Sequence, residues 1–319
     1  MQLLKQSKRL LLFCSFFCFL HPINASDQNF TLPIKEIEEK LASENFAVQQ
    51  MRGARFKEDQ TKRALLKFGD AHIQVKWKKA KRGGEADNNQ PRYELAAYEL
   101  QKLFLDPDEY VVPPTAVRCL PLGQYPKTES EISPTFKNTS YMFFVLQYWL
   151  ENVSNKFKFE KKRFKSDAIY ARFIGNLNIF TYLIKHNDSN VGNFLISVAP
   201  SDPRVFVVDN GLAFGDLESN RGFEWRNIRV KRLPNDTIER LRNITQADLE
   251  KTLGVVAQFE VVDGELLPTT PAQNLNGKKG VRQKDGVIQF GLTSGEIKRV
   301  YSRLKKLLQR VDSGKIKTF

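Results

Sequence analysis

Three oxygen-bearing side chains are spaced as a site for phosphoryl chemistry would need them. Asp188 and Asn193 lie five residues apart in the polar stretch His186-Asn187-Asp188-Ser189-Asn190-Val191-Gly192-Asn193, and Asp209-Asn210-Gly211 begins sixteen residues later. A carboxylate at Asp188 can orient an attacking hydroxyl and accept its proton. Asn193 and Asp209 offer the hard oxygen ligands that Mg²⁺ (or Mn²⁺) prefers, and such an ion neutralises a polyphosphate. Gly211 is expected to let the backbone turn sharply after the metal ligand. A plainer reading is also open. Asn-Gly between apolar residues is a strong hairpin signal, so Asn210-Gly211 can be a type I′ turn, with the Asn and Gly of the earlier stretch ordinary turn residues.

A bound triphosphate also needs an ammonium group, and the first half of the chain supplies candidates. Residues 63–68 and 71–78 are strand-like runs separated by Gly69-Asp70, which suggests an antiparallel hairpin. In the second run Ile73, Val75 and Trp77 share one face, while Gln74, Lys76 and Lys78 share the other. Pro91 opens a helix over 92–104, where Glu94 falls in the first turns and can pair with a lysine. Lys78 is the first choice for that lysine and Lys76 the alternative. Glu94 is preferred to Glu99 because the nearby Ala96 and Ala97 permit close helix–sheet approach. The run Lys79, Lys81, Arg82 also admits a plain solvated strand end.

The elements that must position the later residues follow from periodicity. Residues 141–150 read as a buried strand. Ser166 or Asp167 caps a long helix whose apolar face holds Ile169, Phe173, Leu177, Phe180 and Ile184. Short strands are expected at 194–198 and 205–208, and an amphipathic helix at 295–311 with Ile297, Val300, Tyr301, Leu304, Leu308 and Val311 inward and a solvated Lys/Arg face. Residues 79–91 and 121–138 read as loops. A strand-rich first half and a mainly helical second half imply an α+β protein of two lobes, residues 26–150 and 151–319, with a cleft between them.

Composition narrows the classes. The 319 residues are 41% hydrophobic and 11% aromatic, enough to bury a sizeable core and incompatible with disorder throughout. Of three cysteines, Cys14 and Cys18 lie in the N-terminal apolar run, leaving Cys119 alone in the body, which excludes a disulfide scaffold. Three histidines argue against a His-rich metal site. Lys5, Lys8 and Arg9 ahead of an apolar run at 10–20, then His21-Pro22 and Ala25, read as a signal peptide over 1–25, with a short membrane anchor as the alternative. Six Asn-x-Ser/Thr sequons beyond residue 25, at Asn29, Asn138, Asn152, Asn187, Asn235 and Asn243, favour a lumenal setting, with bacterial export open; a seventh, at Asn24, straddles the expected cleavage site. The net charge of +14 reads as a soluble, solvated surface, with attraction to phosphates or anionic membranes as the functional alternative.

The offset from Asp188 to Asn193, with His186 ahead of it, matches the catalytic-loop pattern of protein kinases, and Asp209-Asn210-Gly211 stands where their Asp-Phe-Gly would. The segment 186–214, closing on Asp209-Asn210-Gly211-Leu212-Ala213-Phe214, resembles type II phosphatidylinositol 4-kinases. The segment from Glu94-Leu95-Ala96-Ala97-Tyr98-Glu99-Leu100 to Val112-Pro113-Pro114 resembles the secretory-pathway casein kinase (four-jointed-like) family, with HipA-type bacterial kinases more distant. These resemblances span roughly 63–214 and imply a two-lobed protein-kinase-like fold with ATP between the lobes. They further imply Lys78 (or Lys76) and Glu94 as the ATP-binding ion pair, Asp188 as the catalytic residue, and Asn193 and Asp209 as metal ligands. Departures are plain: no palmitoylated cysteine-rich segment, no set of disulfides, and no Gly-x-Gly-x-x-Gly loop, Arg52-Gly53-Ala54-Arg55 offering one glycine.

The expected function is therefore an exported atypical kinase that passes the ATP γ-phosphoryl group to a protein hydroxyl. A lipid or small-molecule acceptor, or a pseudokinase acting as a nucleotide-binding or interaction module, is the alternative. The expected partners are a nucleotide and an acceptor whose identity the residues do not give, an exported protein being the candidate. Peripheral membrane contact is allowed and no specific nucleic acid is expected. The expected location is secreted, lumenal or periplasmic.

Overall fold

Ile34, Ile37 and Leu41 recur at helical spacing, and all three are buried where α1 (Ile34–Ala42) lies against the first sheet. The computed structural model describes residues 29–53, 61–87, 89–126 and 132–319. The expected leader over 1–25, with Cys14 and Cys18, lies outside the described residues, as does the stretch 54–60 that contains Ala54 and Arg55. Among the described residues no helix is long and apolar enough to cross a membrane.

After β1 (Ala47–Gly53), the expected hairpin forms from β2 (Thr61–Phe68) and β3 (Ala71–Lys79), in register from Phe68 opposite Ala71 to Thr61 opposite Lys78. Gly69 in its turn has φ 53°, a backbone state that glycine adopts without a Cβ clash. Ile73, Val75 and Trp77 are buried as the alternation requires. Pro91 starts α2 (Pro91–Gln101), which ends three residues short of the expected helix, and β4 (Thr115–Pro121) and β5 (Tyr141–Tyr148) complete an antiparallel sheet of order β1-β2-β3-β5-β4. Trp77 stacks on Phe144 with ring centroids 3.8 Å apart, so β3 and β5 are packed as well as hydrogen-bonded.

The chain then runs through β6 (Val153–Ser154), α3 (Lys161–Ser166) and α4 (Ala168–Leu183). Asp167 is the cap of α4, accepting from the Tyr170 amide, while Ser166 closes α3. The buried face of α4 is Tyr170, Ile174, Leu177, Phe180 and Leu183. Ile169, expected on that face, is 54% exposed, and Phe173 is half-buried. Leu177, Phe180 and Ile184 are buried as expected; from Ile174 to Thr181 the helix is buried all round, so only its first turns keep an exposed side. Next come β7 (Phe194–Ser197) and β8 (Val205–Val207), paired in a small sheet of order β6-β7-β8, then β9 (Arg232–Leu233), α5 (Asn235–Arg242) and α6 (Gln246–Leu253).

The second half departs from the mainly helical expectation. β10 (Ala257–Val262), β11 (Glu265–Thr269), β12 (Val281–Lys284) and β13 (Val287–Phe290) form a four-stranded sheet of order β11-β10-β13-β12 before α7 (Ser294–Asp312) and β14 (Lys317–Thr318), which pairs with β9. This sheet packs back onto the first one. Phe143 on β5 meets Phe136, Phe259 and Phe290 with ring centroids 4.8–5.7 Å apart. The molecule is thus mixed α+β, with a sheet-rich part and seven helices among the described residues. In α7 Ile297, Val300, Leu304 and Leu307 are buried, whereas Tyr301, Leu308 and Val311 only flank the core.

Of the six sequon asparagines, Asn29 and Asn187 are fully buried, so they present no acceptor in the folded chain; the other four are exposed. Phe143 is fully buried where the two sheets meet. Phe143→Ala should cost about 3–5 kcal/mol of unfolding free energy in urea titration. A cost below about 0.5 kcal/mol, the range of surface substitutions, would show that the sheets do not share this core.

Candidate functional site

Strand β3, helix α2 and the turn after β8 meet at a group of four charges. Lys76 Nζ lies 3.3 Å from Glu94 Oε1 and 3.3 Å from Asp209 Oδ1. Lys78 Nζ also lies 3.3 Å from Asp209 Oδ1 but 3.9 Å from Glu94 Oε1. Both lysines therefore reach Asp209, and Lys76, the alternative in the sequence reading, makes the hydrogen bond to Glu94. Alternation explains why both arrive: residues two apart on a strand share a face. Glu99 points elsewhere, pairing with Lys102 at 2.9 Å.

Glu94 is 1% exposed, and its other oxygen, Oε2, accepts the Asn210 amide at 3.0 Å. The N-terminus of its helix is pinned by Arg92, which donates to Glu296 at 2.7 Å; Glu296 also closes the capping box of α7 with Thr293. Asp209 has φ 60° and ψ 59°, a left-handed conformation that Asp tolerates better than most residues. The sharp turn therefore falls on Asp209 and not on Gly211, correcting the expectation for that glycine. Residues Asn210–Leu212 form a single 3₁₀ turn, so the type I′ hairpin is not what forms here.

Electrostatics follow the geometry. The Lys76 and Lys78 ammonium groups hold the Asp209 carboxyl far below the usual carboxylate range, against a smaller opposing effect of burial. Burial alone would pull the Lys76 ammonium down, but the Asp209 and Glu94 carboxylates outweigh it and hold it above the ordinary lysine value. The Asp209 side chain keeps 42% of its surface open.

Asp188 and Asn193 form a second, adjoining pair. Asn193 Nδ2 donates to Asp188 Oδ2 at 3.0 Å and to the Asp188 carbonyl at 3.2 Å, and both side chains are buried. Val208, directly before Asp209, donates its amide to the Asn193 carbonyl at 2.9 Å, which fixes the two pairs side by side. The order of the pattern is kept in space, although Asp188 makes no hydrogen bond to the Lys76 group among the described residues. Sequence reasoning missed Arg221, whose guanidinium lies 3.2 Å from Asp188 Oδ2. It sits 33 residues downstream in an irregular loop, where neither spacing nor periodicity marks it.

The donor set fits a hard divalent cation. Asp188 Oδ1 is buried without a hydrogen-bonding partner, Asn193 commits its amide nitrogen to Asp188 and so keeps its amide oxygen for another role, and Asp209 adds a carboxylate. Among the described residues no three His, Cys, Asp or Glu side chains gather as a metal cluster, so a bound Mg²⁺ would draw on Asn193 and on its ligand's own oxygens. The chain matches no family model, and no curated protein matches it.

His186, behind Asp188, is fully buried against the edge of Phe194, and burial pushes its imidazole down to about 4 despite the Asp188 and Asp209 charges. Its folded value lies below its unfolded one, so its contribution is present above about pH 6.5 and is lost as pH falls toward 4. A shift of this size is worth roughly 3 kcal/mol. His186→Gln should flatten the stability profile between pH 6.5 and 4; an unchanged slope in chemical denaturation across that window would contradict the burial effect.

Proposed function

We propose that this chain is an atypical kinase on a two-lobed kinase-like plan, transferring the γ-phosphoryl group of ATP to a hydroxyl of an exported protein. The observation that carries the proposal is the meeting of Lys76, Glu94 and Asp209 from a strand, a helix and a post-strand turn, the two ends 133 residues apart in sequence. The Asp188–Asn193 pair lies hydrogen-bonded beside them. On this plan β1–β5 and α2 form one lobe and α3–α7 the core of the other, with the C-terminal sheet bracing the first.

Lys76, with Lys78, would hold the α/β-phosphates, and Glu94 keeps the Lys76 ammonium at the mouth of the site. Asp188 Oδ2 would accept the proton of the attacking hydroxyl. Asn193 and Asp209 are the residues that would hold Mg²⁺, which supplies charge neutralisation when bound. The chain does little covalent work: its contribution is positioning and fixed charge. A cavity of about 470 Å³ opens beside Ser189, walled by Phe157, Phe159, Phe194 and Trp225 with Lys158 and Arg229 at its edge, and is the place for the acceptor. Export follows on the same reading from the leader at 1–25, whether cleaved or kept as an anchor.

A nucleotide-binding module without turnover is the second reading. It is favoured by Arg221, which occupies the Asp188 oxygen that would take the proton.

The test is ADP release and label transfer from γ-labelled ATP with Mg²⁺, beside calorimetric ATP binding. Asp209→Ala should abolish turnover. Asp188→Ala should lower kcat by about 10²–10⁴ while leaving ATP affinity nearly unchanged. Full activity of Asp209→Ala, or no ATP binding by the unaltered chain, would refute the kinase assignment. Binding without turnover would select the module.

A further inference from the structure

Outside that site, five cations line a groove of about 440 Å³ between the end of α4, the face of α7 and the turn at 226–227. Arg299, Arg303 and Lys306 stand at i, i+4 and i+7 on α7, so one helix face presents all three. Lys185 joins them from just past α4, and Arg226 from the loop that follows Asp209.

Two of these five cations are already neutralised. Lys185 pairs with Asp216 at 3.0 Å and Arg226 with Glu218. Among the described residues, no carboxylate forms an ion pair with Arg299, Arg303 or Lys306. Their known bonds go to carbonyls: Arg299 to Phe214 at 3.5 Å and Arg303 Nε to Leu183 at 2.8 Å. Arg303 Nη2 is buried and has no acceptor. Burial, reinforced by the Arg299 charge, pushes the Arg303 guanidinium down to about 10, against the opposing pull of Tyr182 and Asp216. Three like charges held on one helix face in this way repel one another, and a multivalent anion relieves them.

We propose that this groove binds a phosphate-bearing ligand of two or three negative charges, separate from the Lys76–Asp209 site. Guanidinium forks match the oxygens of a phosphate group in pairs, which favours phosphate over a single carboxylate. The carbonyl end of α4 would disfavour an anion, but Arg303 already donates to the Leu183 carbonyl there. Arg299, Lys185 and Arg226 also grip Phe214, Asp216 and Glu218 of the segment directly after Asp209-Asn210-Gly211, so a bound anion would stiffen that segment. The ligand can be a free polyphosphate or a lipid headgroup, since both present the same oxygens.

The experiment titrates the full chain with sodium pyrophosphate in magnesium-free buffer by calorimetry. Arg299→Glu/Lys306→Glu, both at exposed positions, should weaken binding by about tenfold or more. The control Lys162→Glu/Lys165→Glu makes the same charge change on α3 and should leave affinity within about twofold, because separated exposed charges are screened. A parallel arm sediments the chain with phosphatidylcholine vesicles carrying or lacking phosphatidic acid. Vesicle binding lost in the α7 variant and competed by pyrophosphate identifies a headgroup site; pyrophosphate binding without vesicle binding identifies a free-phosphate site. Equal losses in both variants mean diffuse charge, and unchanged affinity in the α7 variant means binding elsewhere; either overturns the proposal. None of these readouts depends on phosphotransfer, so the groove and the kinase assignment stand or fall separately.

Discussion

Everything in the proposed site depends on one charge balance. Lys76 and Lys78 emerge from the same face of β3, where two ammonium groups would repel each other, and the Glu94 and Asp209 carboxylates offset them. In a largely buried setting such charges are costly alone and acceptable together. The balance therefore constrains backbone as well as side chains: α2 must approach the sheet closely enough for Glu94 to arrive, and the chain after β8 must turn through a left-handed Asp209. The Arg92–Glu296 contact and the Asn210 amide on Glu94 hold those two approaches in place.

The same economy marks the neighbouring pair. Asn193 serves Asp188 through both its carbonyl and its carboxylate, and the Asn193 carbonyl in turn receives Val208. A shift in one pair is felt by the other through a single residue. His186 is buried next to this pair, and burial outweighs the pull of the Asp188 and Asp209 charges on its imidazole. Arg221, whose side chain is 59% exposed, is the charged partner of Asp188 among the described residues.

The C-terminal sheet gives this arrangement a brace that no local signal announces. Its aromatic face closes over Phe143, and Leu95 of α2 joins the same cluster, so residues near the end of the chain help hold the helix that carries Glu94. A hydrophobic contact of this kind, made by residues more than a hundred positions apart, couples the stability of the site to elements that do no chemistry there.

The sequence alone determined what short-range rules govern. Alternation placed Ile73, Val75 and Trp77 inside with Lys76 and Lys78 on the opposite face, a proline marked the start of α2, and polar spacing singled out Asp188, Asn193, Asp209 and Glu94. Local periodicity left other matters undecided: which lysine meets Glu94, that the left-handed turn lies on Asp209 and not Gly211, that Ile169 faces solvent, that residues 257–290 form a second sheet, and that Arg221 lies on Asp188. Each depends on where distant segments come to rest. An ångström of helix position or one residue of cap placement changes the partner, and that is set by the sum of buried contacts over the whole chain, not by the types of residue on either side.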